Sequence, residues 1–436
     1  MRLDQPILLY GAGREARSTR AFIAARAPDT KVFVTVDSGE ADIPDTEVIA
    51  PVDLPAAVAA RRFASIVKSP GVSRYRPIFA QAREAGIAVT SNLNLWGETY
   101  REGRTVIAIT GTKGKSTTAT LVHLMLTESG IDAGLAGNVG LAPLEIADRN
   151  AIVVFELSSY QTADMAFSPD IAAVTNLTPE HTDWHRDVEH YYADKLNMID
   201  REQPFPVALG AGAKDHPLVL AAVRDKKRLI PQLAPFIADR IATAVSRSRL
   251  KGSHNLDNAI LATQVAMKAG ADLEAVVRGI EAFRPLPHRL EEHQIGGKIV
   301  VNDSISTTPE ATKAALNAYE GKRIALIAGG HERQQDYKEL AGLLGPRGVV
   351  ILVCLPATGD RLATLAYRAA PEIEVLEAAT LDAALHALAD RREAFDTVIL
   401  SPGAPSYGQQ EMPGKVFRNF EERGAAFIRL AEQYLG

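Results

Sequence analysis

The stretch TVIAITGTKGKSTTATLVHLMLTESG (105–130) constrains the fold more than any other part of the chain. Its apolar, β-branched opening predicts a buried strand over 105–110. The residues after the glycines predict a helix that stops at Gly130. Strand, glycine turn and helix form the unit from which parallel α/β sheets are built. The turn ends in Gly114-Lys115-Ser116, the second half of the phosphate-binding pattern G-x-x-x-x-G-K-[ST]. That pattern would put its first glycine at Ile109, and the nearest earlier glycine is Gly111. A lone GKS is a weak signal, so the reading of the loop rests on what accompanies it.

The same rhythm recurs along the chain. PILLY (6–10), KVFVTVD (31–37) and SIVKSPGV (65–72) read as strands of a first α/β segment. AIVVFEL (151–157) and IAAVTNL (171–177) continue the second, with a helix over 252–270. KIVVNDS (298–304), RIALIAGG (323–330), VVILVCL (349–355) and DTVILSPG (396–403) make a third. A length of 436 residues suits about three domains. The expected division is 1–92, 93–285 and 286–436, with a boundary near TSNLNLWGETY (90–100) and a proline-bearing linker at RPLPHR (284–289). The fold class is α/β, with a Rossmann-like first domain, a central P-loop-type domain on a parallel sheet and a Rossmann-like third domain.

A net charge of -5 gives no electrostatic case for nucleic acid or an anionic membrane, so an anionic substrate must be held by local cations. The single cysteine, Cys354, lies in an apolar run and reads as a core thiol, and no cysteine cluster suggests zinc. The opening apolar run is too short for a signal peptide, and no run approaches a membrane span, so a cytoplasmic protein is expected.

Gly11-Ala12-Gly13-Arg14-Glu15-Ala16 follows a strand and precedes a helix, and Asp37 ends the next strand. This is the dinucleotide-binding pattern G-x-G-x-x-A, and on it an NAD oxidoreductase is an open reading. Its physical content is narrower: backbone N–H groups and a helix N-terminus that approach a phosphate. A UDP pyrophosphate satisfies it as well as NAD, and a purely structural turn is the remaining alternative.

Near the GKS turn the sequence offers partners for phosphate and metal. Lys115 can reach terminal phosphates, and the Ser116 or Thr117 hydroxyl can bind Mg²⁺. Glu156 ends a strand, where a Mg²⁺ ligand beside such a loop belongs, although a solvated strand end has the same appearance. His181 follows another strand and by itself reads as an ordinary surface or core histidine. Lys195 stands among apolar residues in a helical stretch, where a lysine ordinarily reaches out to solvent.

Together the runs TGTKGKST, FELSSYQ, NLTPEHTDWH, YYADKLNMI, GSHNLDNAILA, LPHRLE and VNDS, between residues 105 and 304, stand in the order and near the spacing of a known family. The chain resembles the Mur ligases, ATP-dependent amide ligases that build the peptidoglycan stem peptide. ILSPGAPSYG and FRNFEERGAAF resemble the glutamate-adding branch, so the resemblance covers essentially the whole chain. That family uses the short loop T-G-T-x-G-K-[ST], which removes the objection at Ile109.

The resemblance implies a set of roles. Gly111, Thr112, Lys113, Gly114, Lys115, Ser116 and Thr117 would hold ATP. Two Mg²⁺ ions would be held by Ser116, Thr117, Glu156, His181 and a carbamylated Lys195. Lys115, Glu156, His181 and Lys195 would form the catalytic set. Asn255 and Asn258 would meet the nucleoside, with Arg289 and Asp303 closing over ATP from the third domain at a hinge near 284–289. Gly11, Gly13, Arg14, Asp37, Ser69, Asn138 and His181 would bind UDP-N-acetylmuramoyl-L-alanine. Thr307, Arg333, Ser406 and Phe420 would bind glutamate. NAD has no part in this scheme, and the branch is monomeric.

One departure touches the glutamate pocket. The D-glutamate branch reads D-S-K-[AG]-T-N where this chain reads Asp303-Ser304-Ile305-Ser306-Thr307-Thr308, so a lysine is replaced by Ile305. Arg333 stands where some members carry a second lysine, and QQEMPGK (409–415) reads as a small insertion. DSISTTP and GREAR resemble a sister branch that adds L-glutamate. L-glutamate is therefore the favoured substrate, with D-glutamate the alternative. A folylpolyglutamate-type ligase and an NAD oxidoreductase are the distant ones.

Overall fold

The computed structural model describes the chain except residues 1, 2, 4, 38–40, 181, 251, 285, 286, 333 and 334. Two residues singled out above, His181 and Arg333, lie outside the described residues. The chain divides into two compact units, Met1–Phe283 and Arg284–Gly436.

The first unit carries two parallel sheets. Strands β1 (Ile7–Tyr10), β2 (Val32–Thr35), β3 (Glu47–Val48), β4 (Ser65–Lys68) and β5 (Ala88–Ser91) form one, in the order β3-β2-β1-β4-β5. Strands β6 (Thr105–Thr110), β7 (Ala133–Gly137), β8 (Ile152–Glu156), β9 (Ile171–Asn176) and β10 (Val207–Gly212) form the other, in the order β10-β9-β6-β8-β7. Parallel strands joined by helical crossovers are covered on both faces, which is why β1, β2, β4 and β8 are buried throughout. In each sheet the order reverses at the central strand, β1 or β6. Such a reversal opens a crevice at the carboxyl ends of the strands. Gly11 leaves β1 there and Gly111 leaves β6.

The second unit holds β11 (Glu291–Ile295), β12 (Lys298–Asn302), β13 (Ile324–Gly329), β14 (Val349–Leu355), β15 (Glu374–Glu377) and β16 (Thr397–Leu400). Their order is β11-β12-β16-β13-β14-β15, parallel except for β11. The QQEMPGK segment forms a small antiparallel hairpin, β17 (Gln410–Met412) with β18 (Lys415–Val416). Cys354 is buried, as its apolar surroundings require. Among the described residues no helix is long and apolar enough to cross a membrane.

Candidate active site

The turn between β6 and the helix Lys115–Glu128 is held from the side by the end of β9. The backbone N–H groups of Thr112 and Lys113 both donate to Asn176 Oδ1, at 3.1 and 2.8 Å. Thr175 Oγ1 donates to the Lys113 carbonyl at 2.6 Å. Two glycines make this closeness possible. Gly111 has φ +144°, and a Cβ there would lie 1.9 Å from Thr175 Oγ1. Gly114 has φ +82°, and its Cβ would lie 2.3 Å from Asn258 Oδ1. Positive φ and the absence of a Cβ are what glycine supplies. Gly114 caps the helix, so the N–H groups of the first turn and the positive end of its dipole face the loop. Lys115 Nζ donates to the Thr112 carbonyl at 2.9 Å. Asn258, on the helix Ser253–Lys268, donates to Asn255 at 3.0 Å, so the HNLDN segment packs directly against the glycine turn.

Glu156 ends β8 and is wholly buried, not a solvated strand end. The Asn138 amide donates to its two carboxylate oxygens at 3.4 and 3.2 Å. Lys195 corrects the expectation of a side chain reaching to solvent, because only 2% of it is exposed. Its Nζ donates to the Gly111 carbonyl at 2.7 Å and lies 4.9 Å from the Tyr191 ring centre. Burial, with the Lys115 charge adding to it, pushes the Lys195 ammonium well below the ordinary lysine range. Lys113 pairs with Glu180 at 2.5 Å. Lys115, Lys195, Glu180 and Asn138 line one cavity of about 330 Å³ with Ser158, Ser159 and Tyr160, closed by Pro70 and Gly71 from the loop after β4. Among the described residues no three His, Cys, Asp or Glu side chains gather as a metal site. A hard cation takes oxygen donors, and the carboxylates of Glu156 and Glu180 stand at this site, with Ser116 and Thr117 in the first turn of the helix after the loop.

The first sheet meets this cavity through its own loops. Gly11 and Gly13 form the turn after β1, and Gly13 caps the helix Arg14–Arg26. The Arg14 guanidinium donates to the carbonyls of Gly137 and Gly140 at 2.6 and 2.8 Å and of Asn138 at 3.2 Å, bracing the loop that carries Asn138. Glu15 is buried and accepts from Gln161 at 2.6 Å, and Gln161 in turn accepts from the Ser158 N–H at 3.0 Å. Burial pushes the Glu15 carboxyl up to about 7. Asp37 accepts from Arg76 and Tyr10 at 2.5 and 2.7 Å. Ser69 follows β4, its N–H donating to the Tyr10 carbonyl at 2.9 Å. Beneath it Lys68, 2% exposed, pairs with Asp164 at 2.7 Å.

The second unit has a polar focus of its own, at the carboxyl ends of β12 and β16. Asp303 is fully buried and accepts from the Ser306 and Ser401 hydroxyls at 2.6 and 2.7 Å and from the Leu290 N–H at 3.2 Å. Burial pushes its carboxyl up to about 6, with Arg289 among the groups opposing the rise. Thr307 and Ser406 lie in the two loops of this edge, and Gly403 N–H to Ser306 carbonyl at 3.0 Å ties those loops together. Phe420 opens the helix Phe420–Leu435, and Ser304 Oγ donates to its carbonyl at 2.8 Å. Ile305, in the departing position, is half-buried.

Sequence reasoning missed Arg423. This fully buried arginine donates to Ser304 Oγ at 3.0 Å and to the Ser304 carbonyl at 2.8 Å. It also donates to the Ala404 carbonyl and to Gln409. Burial lowers its pKa to about 9. The signal was an arginine on the apolar face of FEERGAAF, three residues after Phe420.

Known proteins match the chain along most of its length. The family models of the Mur ligase middle domain and of the Mur ligase glutamate ligase domain match residues 109–215 and 288–404. A UDP-N-acetylmuramoyl-L-alanine--L-glutamate ligase from a Micromonospora species is 33% identical over 99% of this chain and 97% of its own length. A protein of the same name from Xanthomonas euvesicatoria is 34% identical, also over 99% of this chain and 97% of its own. Among solved structures, the UDP-N-acetylmuramate-alanine ligase of Thermotoga maritima shares the fold with a TM-score of 0.59 at 16% identity, over 98% of this chain and 99% of that one.

Proposed function

Since this chain belongs to the Mur ligase family, whose members are ATP-dependent amide ligases, we propose that it joins L-glutamate to UDP-N-acetylmuramoyl-L-alanine. The observation that carries the reading is the cavity in which Lys115, Lys195 and Asn138 face the loop after β4. It brings the phosphate turn of the second sheet to the carboxyl edge of the first. A nucleotide-linked carboxylate held at one edge thus meets a triphosphate held at the other.

The chemistry follows from that meeting. The ATP γ-phosphoryl group passes to the alanine carboxylate and gives an acyl phosphate. The glutamate amine attacks the acyl carbon, and phosphate leaves from the tetrahedral intermediate. Triphosphate and carboxylate repel each other, and Lys115 with the first-turn N–H groups offsets part of that charge. Mg²⁺, when bound, neutralises more of it and orients the transferring group. Ser116, Thr117 and Glu156 are its ligands in this reading, with His181 and a carbamate on Lys195 for a second ion. Burial of Lys195 supports the carbamate, because only a neutral amine adds carbon dioxide. Bringing three substrates together accounts for much of the remaining acceleration.

The other assignments follow the same frame. Gly11, Gly13, Arg14, Asp37 and Ser69 take the UDP moiety, so the glycine turn of the first sheet serves a UDP pyrophosphate and not NAD. Asn255, Asn258, Arg289 and Asp303 serve the nucleotide, and Thr307, Arg333, Ser406 and Phe420 the incoming glutamate. The three sheets are taken as three domains, 1–92, 93–285 and 286–436, of a cytoplasmic monomer. The choice of L-glutamate rests on Ile305 in place of a lysine and on the names of the full-length relatives.

Heavy-oxygen label placed in the alanine carboxylate tests the reaction class. It should appear in the released phosphate. Unlabelled phosphate, or ADP formed equally well without the UDP substrate, would overturn the reading.

A further inference from the structure

A buried chain of polar groups stands behind the cavity wall and has no role in the scheme above. His185 is fully buried. Its Nδ1 lies 2.7 Å from Asp194 Oδ2, and its Nε2 lies 2.9 Å from Ser159 Oγ. Asp194 Oδ2 also accepts from the Tyr75 hydroxyl at 2.9 Å, and Arg74 lies 3.8 Å from Oδ1. Trp184, Tyr160 and Tyr191 enclose the imidazole, with ring centres 4.4, 5.5 and 5.2 Å away. At the front of the chain, Ser159 lines the cavity with Lys115 and Lys195.

We propose that Ser159 contacts substrate in this ligase, its hydroxyl oxygen held by the buried His185–Asp194 pair as an acceptor for a substrate N–H. In this proposal the imidazole is neutral with its Nδ1–H toward Asp194, so that Nε2 accepts and the Ser159 O–H points back to it. The lone pairs of Ser159 Oγ are left for the cavity, where they complement a donor and not a carboxylate or phosphate oxygen. The same three groups activate a serine nucleophile in hydrolases. Here the carboxylate is activated by phosphorylation, so the serine is needed for orientation. Two N–H groups come within reach of this chemistry: the alanyl amide beside the activated carboxylate, and the incoming glutamate amine. The inference rests on the proposed reaction.

The test uses the full-length enzyme and its Ser159→Ala, His185→Gln, His185→Ala and Ser159→Ala/His185→Ala variants. Glutamine can donate to Asp194 and accept from Ser159, so His185→Gln should retain more activity than His185→Ala. Ser159→Ala should lower kcat/KM about 10- to 100-fold, the range of one lost hydrogen bond to a buried partner, with ATP affinity unchanged and the fold retained. The double variant should be no slower than Ser159→Ala, because His185 acts through the serine. The substrate analogue carrying L-lactate in place of L-alanine, an ester without the N–H, separates the sources. If the alanyl N–H is the donor, the analogue is turned over equally by wild type and Ser159→Ala. If the amine is the donor, the deficit persists on the analogue and falls on the KM for glutamate. Wild-type kinetics in Ser159→Ala, an acyl-serine adduct, or a loss confined to ATP binding would overturn the inference. A wild-type enzyme that makes no ADP in the full mixture would instead overturn the proposed reaction.

Discussion

Replacing Gly111 by alanine should damage the nucleotide site in a measurable and divisible way. The backbone there has φ +144°, a region costing about 1–3 kcal/mol for a residue with a Cβ. The new Cβ would stand 1.9 Å from Thr175 Oγ1 and 3.0 Å from the Thr175 backbone nitrogen. The hydroxyl can turn away only by giving up its 2.6 Å bond to the Lys113 carbonyl, worth about 0.5–1.5 kcal/mol. Escape by shifting the loop is opposed by Asn176, which holds the next two N–H groups, and by Lys195, which holds the Gly111 carbonyl. The sum is about 1.5–4.5 kcal/mol. It divides between weaker ATP binding, if the loop yields, and lower stability, if the loop holds. Calorimetric ATP titration and chemical unfolding measure the two parts, and together they should recover the sum. If the whole falls on binding, affinity drops by roughly 10- to 2,000-fold. Thr175→Ala removes the same hydrogen bond and the nearest obstructing atom, so the double variant should be no worse than Gly111→Ala alone. A Gly111→Ala protein with wild-type ATP affinity and wild-type stability would refute this account of the shortened loop.

Three further outcomes follow from the geometry. Lys195→Met should abolish turnover while leaving the fold intact, and wild-type enzyme stripped of carbon dioxide should regain activity with bicarbonate. A carbamate resonance from isotopically labelled bicarbonate, present in wild type and missing in the variant, checks this directly. Asp303, with its carboxyl raised to about 6 by burial, binds its proton more tightly folded than unfolded. It therefore favours the fold most at low pH. Its contribution should fall by about 3 kcal/mol as pH rises from near 4 through 6, and Asp303→Asn should remove that slope from denaturant unfolding curves. Ile305→Lys should raise kcat/KM for D-glutamate relative to L-glutamate, because it restores a cation at the position where the D-adding branch carries one. Competition between the two enantiomers in one reaction reads the ratio.

The sequence was most legible where burial is two-sided. β1, β2, β4, β6, β8, β9, β12, β13, β14 and β16 were all foreseen, and each is interior to its sheet. Such strands read as continuous apolar runs because both faces are covered. The strands of these three sheets not foreseen, β3, β5, β7, β10, β11 and β15, are the sheet edges, and the β17–β18 hairpin was not foreseen either. There the pattern is diluted by charge, as in EEHQI and EVLE, or by glycine, as in AGLAG and VALGAG. At the site, the GKS turn with Glu156 and Lys195 stood out as a pattern, but burial did not. Local sequence made Lys195 a lysine reaching to solvent, whereas tertiary packing closes it against Gly111 and Tyr191. Arg423 and the Ser159–His185–Asp194 chain escaped notice for a related reason. Their partners come from distant segments, such as Ser304 for Arg423, so no local spacing announces them.

Catalysis by this protein should unite ATP, UDP-N-acetylmuramoyl-L-alanine and L-glutamate. Its most direct measurement is phosphate release and product mass with purified enzyme, the UDP substrate, ATP and Mg²⁺, run separately with L- and D-glutamate. Phosphate and the glutamyl amide should form with L-glutamate, both dependent on the UDP substrate, with little of either from D-glutamate. Turnover with D-glutamate alone would contradict the assigned enantiomer, and no turnover with either would contradict the assigned reaction.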